Sequence, residues 1–198
     1  VVIPVYNNAD LIEETLSSIY GQTHEDFEIV VVDDGSTDTT PQVLADHSDR
    51  IRAFRQANSG GCSAPRNLGF SHAQSDIFVV FDSDDLMMPD KLTRQTSFLE
   101  RHPDVDFVFT DFVDFYPERE LPPHTHSCTR FRSILQDFHV GDDEYILPSE
   151  VAYPNLLAEN FIGASSMAFR RRLVERYGAF DESFLSSEDA EFTYRVCR

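Results

Sequence analysis

Ile77-Phe78-Val79-Val80-Phe81-Asp82-Ser83-Asp84-Asp85 is an unbroken run of apolar, mostly β-forming residues that stops on a cluster of acids. A continuous apolar run this short predicts a central strand covered by helices on both faces, because a half-solvated strand would alternate polar and apolar residues. Upstream, Ile29-Val30-Val31-Val32 followed by Asp33-Asp34 repeats the pattern. Strand-like runs at 1–5, 27–32, 51–55 and 77–81 alternate with helix-like stretches at 11–20, 40–47, 64–73 and 91–101. That alternation specifies a largely parallel α/β sheet, and in open sheets of this kind ligands gather at the carboxyl ends of the strands. Asp33-Asp34 and Asp82–Asp85 stand at two such ends.

If extended geometry persists one step past the strand, period-two alternation turns Asp82 and Asp84 to the same side. Carboxylates gathered there suit Mg²⁺ or Mn²⁺, which prefer oxygen ligands and combine one or two carboxylates with substrate phosphates. An isolated Asp-x-Asp is more simply a solvated turn. Its position directly after an apolar strand, with Met88-Pro89 and a helix following, favours the metal reading. Val31-Val32-Asp33-Asp34-Gly35-Ser36-Thr37-Asp38 runs a strand into a glycine turn and helix-capping residues, and one of its paired acids could accept a hydrogen bond from a base N–H. The glycine loop at 58–63 leads into Ala64-Pro65-Arg66-Asn67-Leu68-Gly69, where backbone N–H groups and the Arg66 charge suit an anion. It has neither the Walker spacing nor GxGxxG, so P-loop and dinucleotide readings fail.

The chain of 198 residues, 41% hydrophobic and 26% charged, is long enough for one domain with a sizeable core. Sixteen Lys+Arg against 35 Asp+Glu leave a formal charge of −19, which repels a polyanion and argues against nucleic acid. A phosphorylated small molecule is compatible with that charge if a divalent cation lies between. The three cysteines are far apart and lack a CxxC pair, so neither a disulfide framework nor a zinc site is indicated and a reducing compartment fits best. No stretch approaches the roughly 20 apolar residues of a membrane span. The expected location is the cytoplasm, with the inner face of the membrane and peripheral association as alternatives. Because the chain starts without Met in an apolar run and stops in a helix-like stretch, a single domain over 1–198, truncated at both ends, is expected.

Pro4-Val5-Tyr6-Asn7, Ser17–Gln22, VDDGSTD at 32–38, Asn58-Ser59-Gly60-Gly61, Arg66-Asn67-Leu68-Gly69, FDSDD at 81–85, Ile162–Arg170, Gly178–Glu182 and Glu188-Asp189 follow one another in an order that resembles glycosyltransferase family 2. The resemblance covers nearly the whole chain outside 116–154. It implies a GT-A fold, a Rossmann-like three-layer α/β/α sandwich with a mostly parallel central sheet. It also implies metal-dependent transfer of a sugar, with inversion, from a nucleotide-diphosphate donor to the hydroxyl of a glycan, lipid-linked or other acceptor. UDP is the expected nucleotide because uridine donors are common in the family. By position, Pro4, Tyr6, Asp33, Asp34, Arg66, Asp82 and Ser83 are implied in nucleotide binding, and Asp84 with Asp82 and Asp85 in holding Mn²⁺ or Mg²⁺. Asp189, with Glu188 beside it, is implied as the general base. Pro65 stands where the family more often has Ala.

Further expectations are a strand within 104–115, an irregular insertion over 116–154, a strand at 161–169, a helix from 170 stopped by Gly178, and a last helix capped by Ser186 or Ser187. His124 and His126 are read as solvated loop residues, and Phe107, Phe109, Phe112 and Phe115 as packing residues. Three other functions compete. A noncatalytic nucleotide-sugar-binding or scaffold domain would need no base. A nucleotidyltransferase would share the acidic metal ligands, but its lysine-rich loop is missing. A haloacid-dehalogenase-type phosphohydrolase carries its DxD on an early strand, whereas this one lies on about the fourth.

Overall fold

The computed structural model describes residues 1–116 and 118–198. Strands and helices alternate through the first half: β1 (Val2–Val5), α1 (Ala9–Tyr20), β2 (Val30–Asp33), α2 (Thr40–Asp46), β3 (Arg52–Arg55), α3 (Ser63–His72), β4 (Ile77–Val79) and α4 (Lys91–Arg101). After β5 (Phe107–Phe109) come the hairpin strands β6 (Phe115–Tyr116) and β7 (Arg119–Glu120), α5 (Thr129–Leu135), the paired strands β8 (His139–Gly141) and β9 (Glu144–Tyr145), and α6 (Ser149–Ala158). The chain then re-enters the sheet as β10 (Met167–Arg170) and finishes with α7 (Arg171–Tyr177) and α8 (Glu188–Cys197).

β1, β2 and β3 pair in parallel, and β10 lies antiparallel between β4 and β5. A parallel bridge between Val2 and Val80, with the Phe81 N–H donating to the Val2 carbonyl at 3.1 Å, joins the two halves. The strand order is therefore β3-β2-β1-β4-β10-β5, and the direction of progression reverses between β1 and β4. Reversal points of this kind open a crevice at the carboxyl ends of the flanking strands.

Both faces of the sheet are covered. Val2, Val30, Val32, Phe78, Val80, Met167 and Phe169 face one core with Phe70 of α3, Leu156 of α6 and Phe192 of α8. Ile3, Val5, Val31, Val79 and Phe81 face the other, with Ile12, Leu16 and Ile19 of α1 and Leu92 of α4. Alternate residues of each central strand thus enter opposite cores, which is why these runs carry no polar alternation. The result is an α/β/α sandwich with a mostly parallel sheet, as expected.

Several boundaries differ from expectation. The 104–115 strand shrinks to Phe107–Phe109, and 164–166 forms a 3₁₀ turn ahead of β10. Segment 116–154, apart from residue 117, which lies outside the described residues, is not irregular: it holds β7, α5, β8, β9 and the start of α6. Two-residue strands and helices of about two turns are too short to leave a period in the sequence. Gly178, at φ 85°, ends α7 as expected. Ser187 precedes α8 but has left-handed backbone (φ 59°) and no capping hydrogen bond from its side chain. His124 stacks on Phe112 at 4.4 Å and is not simply solvated, while Phe107 and Phe109 pack against the core and Phe115 is exposed. All three cysteines are free, and no helix among the described residues is long and apolar enough to cross a membrane.

Helix α3 lies close on β1, where a Cβ at Gly69 would overlap Val2 Cγ1. Gly69→Ala should cost about 1–3 kcal/mol through overpacking, read by urea unfolding. Combining it with Val2→Ala should cost less than the two single losses added together; strict additivity would show that the overlap is not the cause.

Candidate active site

Motifs from five parts of the chain converge at the crevice beside the β1/β4 reversal. Register places Val5 opposite Asp33, and the Asp34 N–H donates to the Val5 carbonyl at 2.8 Å, so Pro4-Val5-Tyr6 lies alongside Asp33-Asp34. Pro4 is buried and Tyr6 is 49% exposed, which leaves the tyrosine ring as the accessible part of this wall. Asn7, in left-handed backbone at φ 48°, accepts the Thr37 N–H at 2.7 Å and donates its own N–H to Ser36 Oγ at 2.9 Å. The first and second strand ends are thereby clasped together.

Asp33 and Asp34 are both buried, and their carboxylates are largely committed to the protein. Asp33 accepts the Ser36 N–H and an Arg55 Nη1 hydrogen, each at 2.8 Å. Asp34 accepts Gln56 Nε2 at 2.6 Å on Oδ1, and the Ser59 N–H and hydroxyl at 2.9 and 3.0 Å on Oδ2. With two acceptor sites per oxygen, Oδ1 of Asp34 retains one. Gly35 enables this crossing: its φ is +82°, and a Cβ there would sit 2.7 Å from the Asn58 nitrogen.

Arg66 was expected to offer its charge to an anion. It is instead 1% exposed and bridges two carboxylates, donating Nη2 to Asp82 Oδ1 at 2.6 Å and Nη1 to Glu188 Oε1 at 2.5 Å. Burial alone would weaken its charge, but the carboxylates of Asp82 and Glu188 keep it protonated. The guanidinium also lies 5.2 Å from the centre of the Phe180 ring. Arg66 Nε is buried without an acceptor. The neighbouring Asn67 exchanges hydrogen bonds with the Phe180 backbone at 2.9 and 3.0 Å, which ties α3 to the segment leading into α8.

The acidic turn does not keep strand geometry. Extended pairing ends at Phe81, and the Asp82 carbonyl faces the Asp85 N–H across a turn at 3.4 Å, so alternation does not carry from Asp82 to Asp84. Asp82 is occupied by Arg66. The Ser83 carbonyl accepts Asn8 Nδ2 and the Thr15 hydroxyl, both at 2.9 Å, and Asn8 also donates to Ser83 Oγ at 2.9 Å. Burial pushes the Asp85 carboxyl above the ordinary aspartate range; Ser165 opposes this, and Asp82, Asp84 and Asp114 add to it. Asp84 is exposed and makes no hydrogen bond or ion pair among the described residues. No three His, Cys, Asp or Glu side chains form a preformed metal centre among the described residues. A free carboxylate beside like-charged neighbours still fits a cation that takes its remaining ligands from a diphosphate.

The two acids of the last helix divide. Glu188 is buried on Arg66, whereas the half-buried Asp189 has no cationic partner among the described residues and accepts, among them, only the Ala190 N–H at 2.8 Å. Burial pushes the Asp189 carboxyl upward, Glu188 and Asp82 raise it further, and the Ala190 N–H and Arg66 oppose them. A separate open cavity of about 1670 Å³ touches Asp82, Asp85 and Ser165 but neither Arg66 nor Asp189, so it does not mark the reacting centre. Asn7, Asn8, Thr15 and Ser165 were not foreseen as parts of the site. Two asparagines directly after a strand are a faint turn signal, whereas Thr15 and Ser165 sit inside ordinary helix and strand patterns.

The chain is similar in sequence and fold to known proteins. An uncharacterised glycosyltransferase of Rickettsia typhi is 34% identical across all of this chain, which covers 58% of it. S. aureus TarS 1–349 in complex with UDP superposes with TM-score 0.70 at 25% identity over 97% of this chain and 52% of that 1–349 chain. A mannosyltransferase from Pyrobaculum calidifontis, in complex with GDP-Man and Mn²⁺, gives TM-score 0.69 at 26% identity over 98% of this chain and 50% of that one. The chain thus spans less than two thirds of each. These are GT-A folds, and the family model described as glycosyl transferase family 2 matches residues 1–178. With the model running from β1 through the acidic turn to the end of α7, the chain belongs to glycosyl transferase family 2.

Proposed function

We propose that this domain catalyses metal-dependent, inverting transfer of a sugar from a nucleotide-diphosphate donor, UDP-linked in the first instance, to an acceptor hydroxyl. The observation that carries the reading is the convergence of Arg66, Asp82, Glu188 and Asp189 at the reversal point of the sheet, with Arg66 meeting Glu188 from 122 positions away in the chain. UDP in TarS and GDP-Man with Mn²⁺ in the archaeal enzyme support a nucleotide-sugar donor, and family membership supports the transfer. The acceptor is a glycan, lipid-linked or other hydroxyl. The reading also takes 1–198 as one GT-A domain and the cytoplasm or the membrane's inner face as its location.

In this reading the nucleotide lies against Tyr6 and the free acceptor site of Asp34 Oδ1, with Pro4, Asp33 and Ser83 shaping the walls. Asp84, supported by Asp82 and Asp85, would hold Mn²⁺ or Mg²⁺, which supplies charge stabilisation for the departing diphosphate. Arg66 holds Asp82 and Glu188 in position, and its unpaired Nε adds a buried donor near the anion. Asp189 takes the proton of the acceptor hydroxyl as that oxygen bonds to the anomeric carbon, while the carbon–phosphate oxygen bond breaks and its electron pair leaves with the nucleoside diphosphate. One base on the acceptor side is sufficient for a single displacement with inversion. Engagement of Glu188 by Arg66 favours Asp189 as that base, since paired acids in unequal environments take unequal roles.

Calorimetric titration with UDP and GDP, with and without Mn²⁺, should show metal-dependent binding of one nucleotide that Asp84→Asn abolishes. A folded protein that binds neither nucleotide would instead support a noncatalytic scaffold. Donor hydrolysis, with water in place of the acceptor, should fall by about 10²–10⁴-fold in Asp189→Asn while nucleotide affinity is unchanged. Because a protonated Asp189 cannot accept a proton, the wild-type rate should rise with pH through a midpoint above the ordinary aspartate value of about 3.9; a midpoint at or below that value would remove Asp189 from the role.

A further inference from the structure

From the backbone geometry at the end of β4 we infer that Ser165 is a positioning residue for the acidic turn, standing in for the strand partner that the sheet no longer supplies. The inference rests on the donor-site reading above for its functional consequence, but its structural basis is independent of it. Along β4 and β10 the ladder runs Ile77↔Arg170, Phe78↔Phe169 and Val79↔Ala168, and the Val80 N–H still reaches the Met167 carbonyl at 3.3 Å. Beyond this point the chain before β10 curls into the 3₁₀ turn at 164–166. The Asp82 N–H finds the Ser165 hydroxyl instead, at 2.9 Å. A serine hydroxyl accepts and donates at once. Its oxygen here serves as the acceptor that a backbone carbonyl would supply further along the ladder.

The turn that carries Ser165 is anchored through its neighbour Ser166. The carbonyl of Ser166 accepts the Thr110 N–H at 3.1 Å and Gln95 Nε2 at 2.7 Å, and Gln95 Oε1 accepts from the buried Lys91 ammonium at 2.7 Å. The Ser166 hydroxyl closes the turn onto the Gly163 carbonyl at 2.6 Å. A post fixed by α4 and β5 thus grips Asp82 from one side, while Asn8 and Thr15 grip Ser83 from the other. Asp82 is thereby held between Ser165 and Arg66, whereas the exposed Asp84 makes no hydrogen bond or ion pair among the described residues. Ser165 therefore helps to decide which acid of the turn meets the cation, and it does so without touching the donor.

The test uses the whole chain carrying Ser165→Ala, Ser165→Cys or Ser165→Thr, with two readouts. In metal-free protein, deuterium exchange at the Asp82 amide should quicken in Ser165→Ala and stay near wild type in Ser165→Thr, which keeps the hydroxyl. In calorimetry with Mn²⁺ and whichever of UDP or GDP the wild type binds, Ser165→Ala should weaken nucleotide binding about tenfold, the equivalent of one net hydrogen bond. Ser165→Cys, a weaker acceptor of similar size, should fall between alanine and wild type, and it carries the comparison should the alanine variant not fold. Wild-type exchange and binding in Ser165→Ala or Ser165→Cys, or a threonine variant as impaired as alanine, would overturn the inference. If the wild type binds neither nucleotide, the donor reading fails while the exchange experiment still decides the role of Ser165.

Discussion

A buried arginine holds the site together. The Arg66 guanidinium, on α3, ties the end of β4 to the start of α8, and almost none of it reaches solvent. Removing such a charge from water is costly, and the penalty is offset only when good geometry and counter-charges surround it. Asp82 and Glu188 provide them, one on each terminal nitrogen, and the Phe180 ring lies nearby. With two anions on one cation the cluster keeps a net negative charge, and Asp84, Asp85 and Asp189 add to it. A site with surplus negative charge is well matched to a divalent cation and poorly matched to an anionic ligand without one.

Around this bridge the acids acquire different roles through their partners. Asp33 and Asp34 shape loops, because backbone N–H groups, Arg55, Gln56 and Ser59 occupy most of their oxygens. Asp82 and Glu188 neutralise Arg66. Asp85 is half-buried and pushed toward its protonated form, Asp84 stands free in solvent, and Asp189 is raised without an ion-pair partner. Identical side chains thus become scaffold, counter-ion, metal candidate and base candidate. The difference lies in burial and in the donors each one meets.

Much of the architecture was legible because it is written in local pattern. Ile29–Val32 and Ile77–Phe81 are apolar on both faces since each strand feeds two cores, and the acids ending them fall at the carboxyl ends of the strands, where loop and side-chain donors meet them. The middle of the chain was not legible. Elements such as Phe115–Tyr116 and Glu144–Tyr145 are too short to express a period, and each is defined by hairpin pairing with a strand only a few residues away. Ser165 lay hidden in a strand-like run because its role is set by where the β4–β10 ladder stops, which depends on a partner distant in sequence.

The sequence by itself determined the parallel α/β layering, the order of the motifs and the placing of acids at strand ends, because these follow from hydrophobic period and from residue types at turns. It took the assembled chain to show that Arg66 serves carboxylates, that Glu188 is engaged by it while Asp189 is not, and that within the acidic turn Asp82 is paired whereas Asp84 is exposed and unpaired among the described residues. Those outcomes depend on contacts between segments as much as 122 residues apart. Charge, burial and hydrogen-bond partnership are properties of the assembled crevice, and no local stretch of chain encodes them.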